Sequence, residues 1–136
     1  MTSLNEVLSA LADANERLIS LSRWLRSQEL VREVKRGLDA RRYGTGVTVE
    51  AFVEAELGSG DAVCWWLEVR EDSMAYVIEC RVFVQRGDYQ DTLWERADVS
   101  VDSAVAFQRE LAAAVTDLTS NTASYVSLAA KHGDSS

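Results

Sequence analysis

Residues 62–85, AVCWWLEVREDSMAYVIECRVFVQ, constrain this chain more than any other stretch. Two runs rich in Val, Ile, Trp, Tyr and Phe flank the polar break Glu71-Asp72-Ser73. β-branched and aromatic residues on both sides of a polar turn predict a β-hairpin. In the first arm Val63, Trp65, Leu67 and Val69 share a face, opposite Cys64, Trp66, Glu68 and Arg70. In the second arm Met74, Tyr76, Ile78, Cys80, Val82 and Val84 share a face, opposite Val77, Glu79, Arg81 and Phe83. The apolar sets meet only through a two- or four-residue connection, because a one-residue slip inverts every side chain. The expected pairs are Leu67 with Ile78, Val69 with Tyr76 and Trp65 with Cys80. Trp66 then faces Glu79, and Cys64 faces Arg81. The two cysteines fall on opposite faces, which excludes a disulfide between them.

The sheet extends on both sides of this hairpin. Val47, Val49, Ala51, Val53, Ala55 and Leu57 alternate with Thr48, Glu50, Phe52, Glu54 and Glu56, a period-two strand. Gly58-Ser59-Gly60-Asp61 and Arg86-Gly87-Asp88 are turns. Leu93, Ala97, Val99 and Val101 alternate with Trp94, Arg96, Asp98 and Ser100. The reading is a four-stranded antiparallel meander over residues 47–101. Glu95 is the misfit, since alternation sends it to the core face beside Cys80. It reads either as an inward charge guarding an edge strand or as a carboxylate with a raised pKa.

Helices are expected at both ends, giving an α+β domain over 1–136. Leu4, Val7, Leu11, Ala14, Leu18, Leu21 and Leu25 recur at steps of three and four, and Leu8, Ala12 and Ile19 widen the stripe. Thr2 or Ser3 can cap, with Glu6 at capping-box spacing from Ser3. The stripe suits docking on the chain's own sheet. It also suits a homodimer through Leu4, Leu11, Leu18 and Leu25. Leu30, Val31, Val34 and Leu38 continue a helical face through residue 42, with a kink near Ser27. Gly44-Thr45-Gly46 is a turn. Asp102 or Ser103 caps a C-terminal helix with Phe107, Leu111 and Val115 on one face, and Asn121 marks a break. A shorter helix carrying Tyr125 and Val126 follows, and residues 132–136 read as a frayed tail.

Charge and chemistry limit the function classes. The net charge is −8; residues 1–42 carry +2 and residues 43–136 carry −10. Such an acidic body repels nucleic acid and anionic membranes and favours cationic partners. No apolar run is long enough to span a bilayer. Two cysteines without a framework fit a reducing cytosol. The one histidine, His132, lies in the tail, so neither a Ser–His or Cys–His pair nor a usual zinc set is legible, and no cofactor motif is found. The expected function is therefore a non-enzymatic protein-interaction module, chaperone-like or toxin-neutralising by analogy of size and architecture alone. Its candidate surface is the second face of the sheet: Phe52, Glu54, Trp66, Glu68, Glu79, Arg81, Phe83, Trp94 and Arg96. Large rings among carboxylates and arginines suit an interface. One alternative is a small-molecule binder or acid–base enzyme with a pocket between sheet and helices, using Glu68, Glu79, Glu95 or Asp98. Another is nucleic-acid binding through the basic residues of 23–42.

Overall fold

The computed structural model describes residues 4–43, 46–72 and 75–134, with side chains over 8–40, 46–71 and 75–131. The chain runs α1 (Leu4–Arg26), β1 (Val31–Tyr43), β2 (Gly46–Leu57), β3 (Ala62–Asp72), β4 (Ala75–Arg86), β5 (Tyr89–Val101), α2 (Ala104–Leu118) and α3 (Thr122–Asp134). The strands form one antiparallel sheet in sequence order, β1-β2-β3-β4-β5. The expected α+β class with an antiparallel meander is present, but the sheet has five strands rather than four.

The extra strand is β1, which replaces the expected continuation of the N-terminal helix. Spacing alone is ambiguous there, because Val34 and Leu38 share a face in a strand as well as in a helix. Gly37 tips the balance. Glycine inside a helix costs about 1 kcal/mol relative to alanine, whereas in β1 it gives room to a neighbour. The Phe52 ring lies over Gly37, where a Cβ would overlap its Cε1 and Cζ atoms. No kink arises near Ser27, because α1 ends at Arg26. At the other end, α3 continues through His132 to Asp134, so most of the expected frayed tail is helical. The expected caps Thr2 and Ser3, the glycine turn at 44–45 and Met74 lie outside the described residues.

All three described helices pack on one face of the sheet. That core gathers Leu18, Leu21 and Leu25 of α1, Trp65 and Leu67 of β3, Val82 and Val84 of β4, and Phe107, Leu111 and Leu118 of α2. The sheet residues in it all project from the same face, with α1 over β1 and β2 and α2 over β4 and β5. Ser103 caps α2, its hydroxyl accepting from the Ala106 N–H. Leu18 and Leu25 are fully buried and Leu11 packs beside them, so the leucine stripe serves the core rather than a partner helix. The Leu4 side chain lies outside the described ones. No described helix is long and apolar enough to cross a membrane.

Registers differ from expectation in two ways. Between β3 and β4 the observed pairs are Trp65–Val82, Leu67–Cys80 and Val69–Ile78. Asp72 opposite Ala75 gives the shorter of the two allowed connections. The slide is two residues, so every side chain keeps its face, but Trp66 now meets Arg81 and Cys64 meets Phe83. Between β4 and β5 the register shifts twice, between Ile78 and Cys80 and again between Val82 and Phe83. A β-bulge adds a residue to one strand and reverses the alternation beyond it. Trp94 and Arg96 consequently turn to the helix side, opposite Val82 and Cys80, and Glu95 turns away from it, opposite Arg81. The misfit carboxylate disappears: Glu95 is exposed.

Candidate functional site

The face of the sheet opposite the helices has no covering element among the described residues. Three cross-strand rows organise it. The central row reads Gly37, Phe52, Trp66, Arg81, Glu95 across all five strands. One neighbouring row reads Lys35, Glu54, Cys64, Phe83, Thr92. The other reads Asp39, Glu50, Glu68, Glu79, with Asp98 on β5 close enough to share an arginine with Glu68 and Glu79.

Aromatic rings and one guanidinium make the centre. Arg81 lies 4.8 Å from the Trp66 ring centroid and 5.2 Å from that of Phe83. Such cation–π contacts contribute about 0.5–2 kcal/mol each, more where water is excluded. The Arg81 Nε is buried without a hydrogen-bond acceptor among the described residues, and the two rings pack against the guanidinium. Phe52, Trp66 and Phe83 are each only partly buried. They are rigid rings that keep a minor part of their surface exposed, shielded by strand neighbours and not by a helix.

The acidic row is held together by Arg70. Its Nη1 donates to Glu68 Oε1 at 3.0 Å and stands 3.5 Å from Glu79 Oε2, while its Nη2 is 3.8 Å from Asp98 Oδ2. One cation thus serves three carboxylates. The hydrogen bond to Glu68 raises the Arg70 pKa further above its ordinary value, against some burial. The Glu79 carboxyl is pushed up, first by loss of water and then by Asp98 and Glu68, with Arg70 and Arg81 only partly offsetting this. The folded chain therefore holds the Glu79 proton more tightly than the unfolded chain. Its contribution to stability is fully present at acid pH and is lost as pH rises through the raised pKa. Glu79→Gln should accordingly raise the unfolding free energy at neutral pH, by less than about 1 kcal/mol at this partly exposed site. The gain should vanish at acid pH, and thermal unfolding across a pH series reads it.

Both cysteines are buried free thiols. Burial pushes Cys64 up to about 12, aided by Glu54 and opposed by Arg81. Burial likewise pushes Cys80 up to about 11, with Arg96 opposing. At pH 8 the Cys64 thiolate should be roughly a thousandfold scarcer than in an ordinary cysteine. A thiol-titrating disulfide reagent should therefore leave both cysteines untouched in the folded protein and titrate both on denaturation. Rapid labelling of the native state would contradict this assignment.

Of the residues selected from sequence, Phe52, Glu54, Trp66, Glu68, Glu79, Arg81 and Phe83 lie on this open face. Trp94 and Arg96 do not, because the bulges in β5 turn them inward. Trp94 packs against the core, and Arg96 clamps β5 to α2, 3.4 Å from Glu110 Oε2 and 3.5 Å from Asp117 Oδ2. Glu50 and Arg70 belong to the face and were not singled out. The parity of Glu50 and the shared row would have found them once β1 and the two-residue slide were known. No described set of His, Cys, Asp or Glu side chains has the arrangement to hold a metal ion.

Two other spaces bear on function. Between α1 and the sheet, the gap lined by Leu11, Leu18, Leu38 and Val49 measures only about 10 Å³. Glu68, Glu79, Glu95 and Asp98 line none of it. An open groove of about 570 Å³ runs between α1 and the turn joining α2 to α3, lined by Leu21, Trp24, Ser120 and Thr122 among others. Its one charged group, Arg17, is tied down, donating to Thr116 Oγ1 at 2.8 Å and to the Ala112 carbonyl at 3.3 Å. The basic residues of 23–42 are divided between the last turn of α1 and β1. No protein family, characterised protein or solved structure matches this chain.

Proposed function

We propose that this protein is a non-enzymatic interaction module that grips a cationic protein segment on the open face of its sheet. The observation that carries the reading is the uncovered centre formed by Phe52, Trp66, Arg81 and Phe83 beside the carboxylate row Glu50, Glu68, Glu79 and Asp98. Rigid rings supply contact area at little cost in conformational entropy, and aromatic and arginine side chains dominate binding energy at interfaces. Carboxylates outnumber the cations Arg70 and Arg81 around them, so an arriving lysine or arginine finds acceptors that Arg70 only partly satisfies. Complementary charge of this kind raises association rate and selects partners by sign. A small chaperone-like or toxin-neutralising role would use such a face, and the cytosol is the compartment this reading favours.

The test is capture of partners from cells of the source organism by the wild-type protein, by Trp66→Ala and by Trp24→Ala. The reading expects a partner whose recovery falls with rising salt, is lost with Trp66→Ala and survives Trp24→Ala. Equal recovery by wild type and Trp66→Ala would refute it.

A further inference from the structure

Among the described residues β1 and β5 are the two edges of the sheet, and they are built differently. Unpaired strand edges invite a further strand, and native proteins blunt them with bulges, charges or short length. β5 is blunted by two register shifts along its length. β1 has a single irregularity at its very start, between Val31 and Glu33, and then pairs regularly with β2 from Glu33 to Tyr43. Most of its described side chains are exposed, including Leu38 at 58%.

The sequence of this regular edge, EVKRGLDAR, complements itself about Gly37. In an antiparallel pair of two β1 strands centred there, Lys35 of each copy falls opposite Asp39 of the other. Glu33 falls opposite position 41, an arginine, and Val34 opposite Ala40. Sliding the register by one pair in one direction sets Glu33 against Asp39. Sliding it in the other direction sets Lys35 against position 41. Among these neighbouring registers that keep the helices of both copies on the same side, only the one centred on Gly37 joins opposite charges. On each copy Lys35 and Asp39 lie on the open face, beside Glu54 and Glu50 of β2. The second copy's Lys35 therefore arrives at the end of the acidic row. At the centre, Gly37 bears no side chain, and the Phe52 ring lies over it. The two Phe52 rings would flank a shared glycine floor.

We infer that β1 is a homodimerisation edge: two copies pair their β1 strands antiparallel about a two-fold axis at Gly37, making one ten-stranded sheet. The occupant is a second copy because this register sets the edge's own opposite charges against each other, Lys35 against Asp39, although Arg36 then faces Leu38. A purely protective edge needs only like charge. Backbone hydrogen bonds give the pairing its strength, and cross-strand ion pairs fix its register. The two open faces then lie side by side.

Sedimentation velocity across a concentration series tests this on wild type, Lys35→Asp, Asp39→Lys and an equimolar mixture of the two variants. Wild type should dimerise. Each variant alone sets like charges opposite each other twice and should dimerise at least about tenfold more weakly. The first variant is acidic at both positions and the second is basic at both. Their mixture therefore restores opposite charges at both cross-strand pairs, and it should recover a dimer near wild-type strength. A wild-type monomer at all concentrations overturns the inference. So does a dimer indifferent to both reversals, or a mixture no stronger than its components.

A second readout does not depend on the stability of those variants. Oxidising a mixture of Lys35→Cys and Asp39→Cys should give disulfide-linked dimers, because directly opposed residues lie about 5 Å apart. Either variant alone should give few, since its two thiols would be about 13 Å apart along the strands. Cross-linking of either variant alone as readily as the mixture contradicts the pairing. If instead a foreign acidic strand occupies β1, wild type stays monomeric and no cross-link forms.

Discussion

Leu18→Ala and Leu25→Ala should each lower the free energy of unfolding by about 2–5 kcal/mol, the range for truncating a buried leucine. Both side chains are sealed between α1, the sheet and α2, with 1% and 0% of their surface exposed. The loss has two sources. The removed methyl and methylene groups no longer leave water on folding, and the cavity left behind collapses only in part, because the core that holds these leucines is close-packed and built largely of fully buried side chains. Chemical denaturation read by circular dichroism measures the effect. The dose response should shift without changing its dependence on protein concentration relative to wild type, because these leucines face the chain's own core. A loss of dimerisation with unchanged monomer stability would restore the leucine stripe as a partner-binding seam and contradict the packing described above.

Trp66→Ala should separate binding from folding. The ring is half-buried, lies under the Arg81 guanidinium and touches no helix core. Its removal costs cross-strand packing and one cation–π contact, about 1–2 kcal/mol of stability. Its effect on partner binding should be larger. Central aromatic anchors commonly account for about 2 kcal/mol or more, which is a loss of about thirtyfold or greater in affinity. Isothermal titration with the captured partner, alongside thermal unfolding, gives both quantities on the same sample. Arg81→Ala should behave similarly, and the double variant should lose less than the sum, because each side chain orders the other. An unchanged affinity with a large loss of stability would make Trp66 a packing residue and no more.

Much of this architecture was legible in the residues. Period-two alternation identified β2, β3 and β4 with their inward faces, because one side of an antiparallel sheet must be apolar and the other need not be. It also placed Phe52, Trp66, Arg81 and Phe83 together on the outer face. β1 was hidden because an edge strand buries little, so its apolar residues are too few to set a period. Val34 and Leu38 fit either reading, and the answer rests on Phe52, far along the chain, needing the space above Gly37. Trp94 and Arg96 were misplaced for a different reason. Bulges leave little mark in a binary pattern, and the two in β5 exchange its faces between residues 92 and 98. Glu95 carried the only hint: a charge aimed at the core by strict alternation is itself a sign that alternation breaks nearby. Arg96, clamped between Glu110 and Asp117, shows what the bulge achieves, a salt-linked seam between β5 and α2.

Hydroxyl-radical footprinting of the protein, with and without its captured partner, addresses the open face most directly. Oxidation of Trp66 and Phe83 should fall sharply in the complex, while Trp24 in the helical groove stays as reactive as before. Unchanged labelling of Trp66 and Phe83, with protection appearing at Trp24 instead, would move the binding surface to the helices and contradict the account.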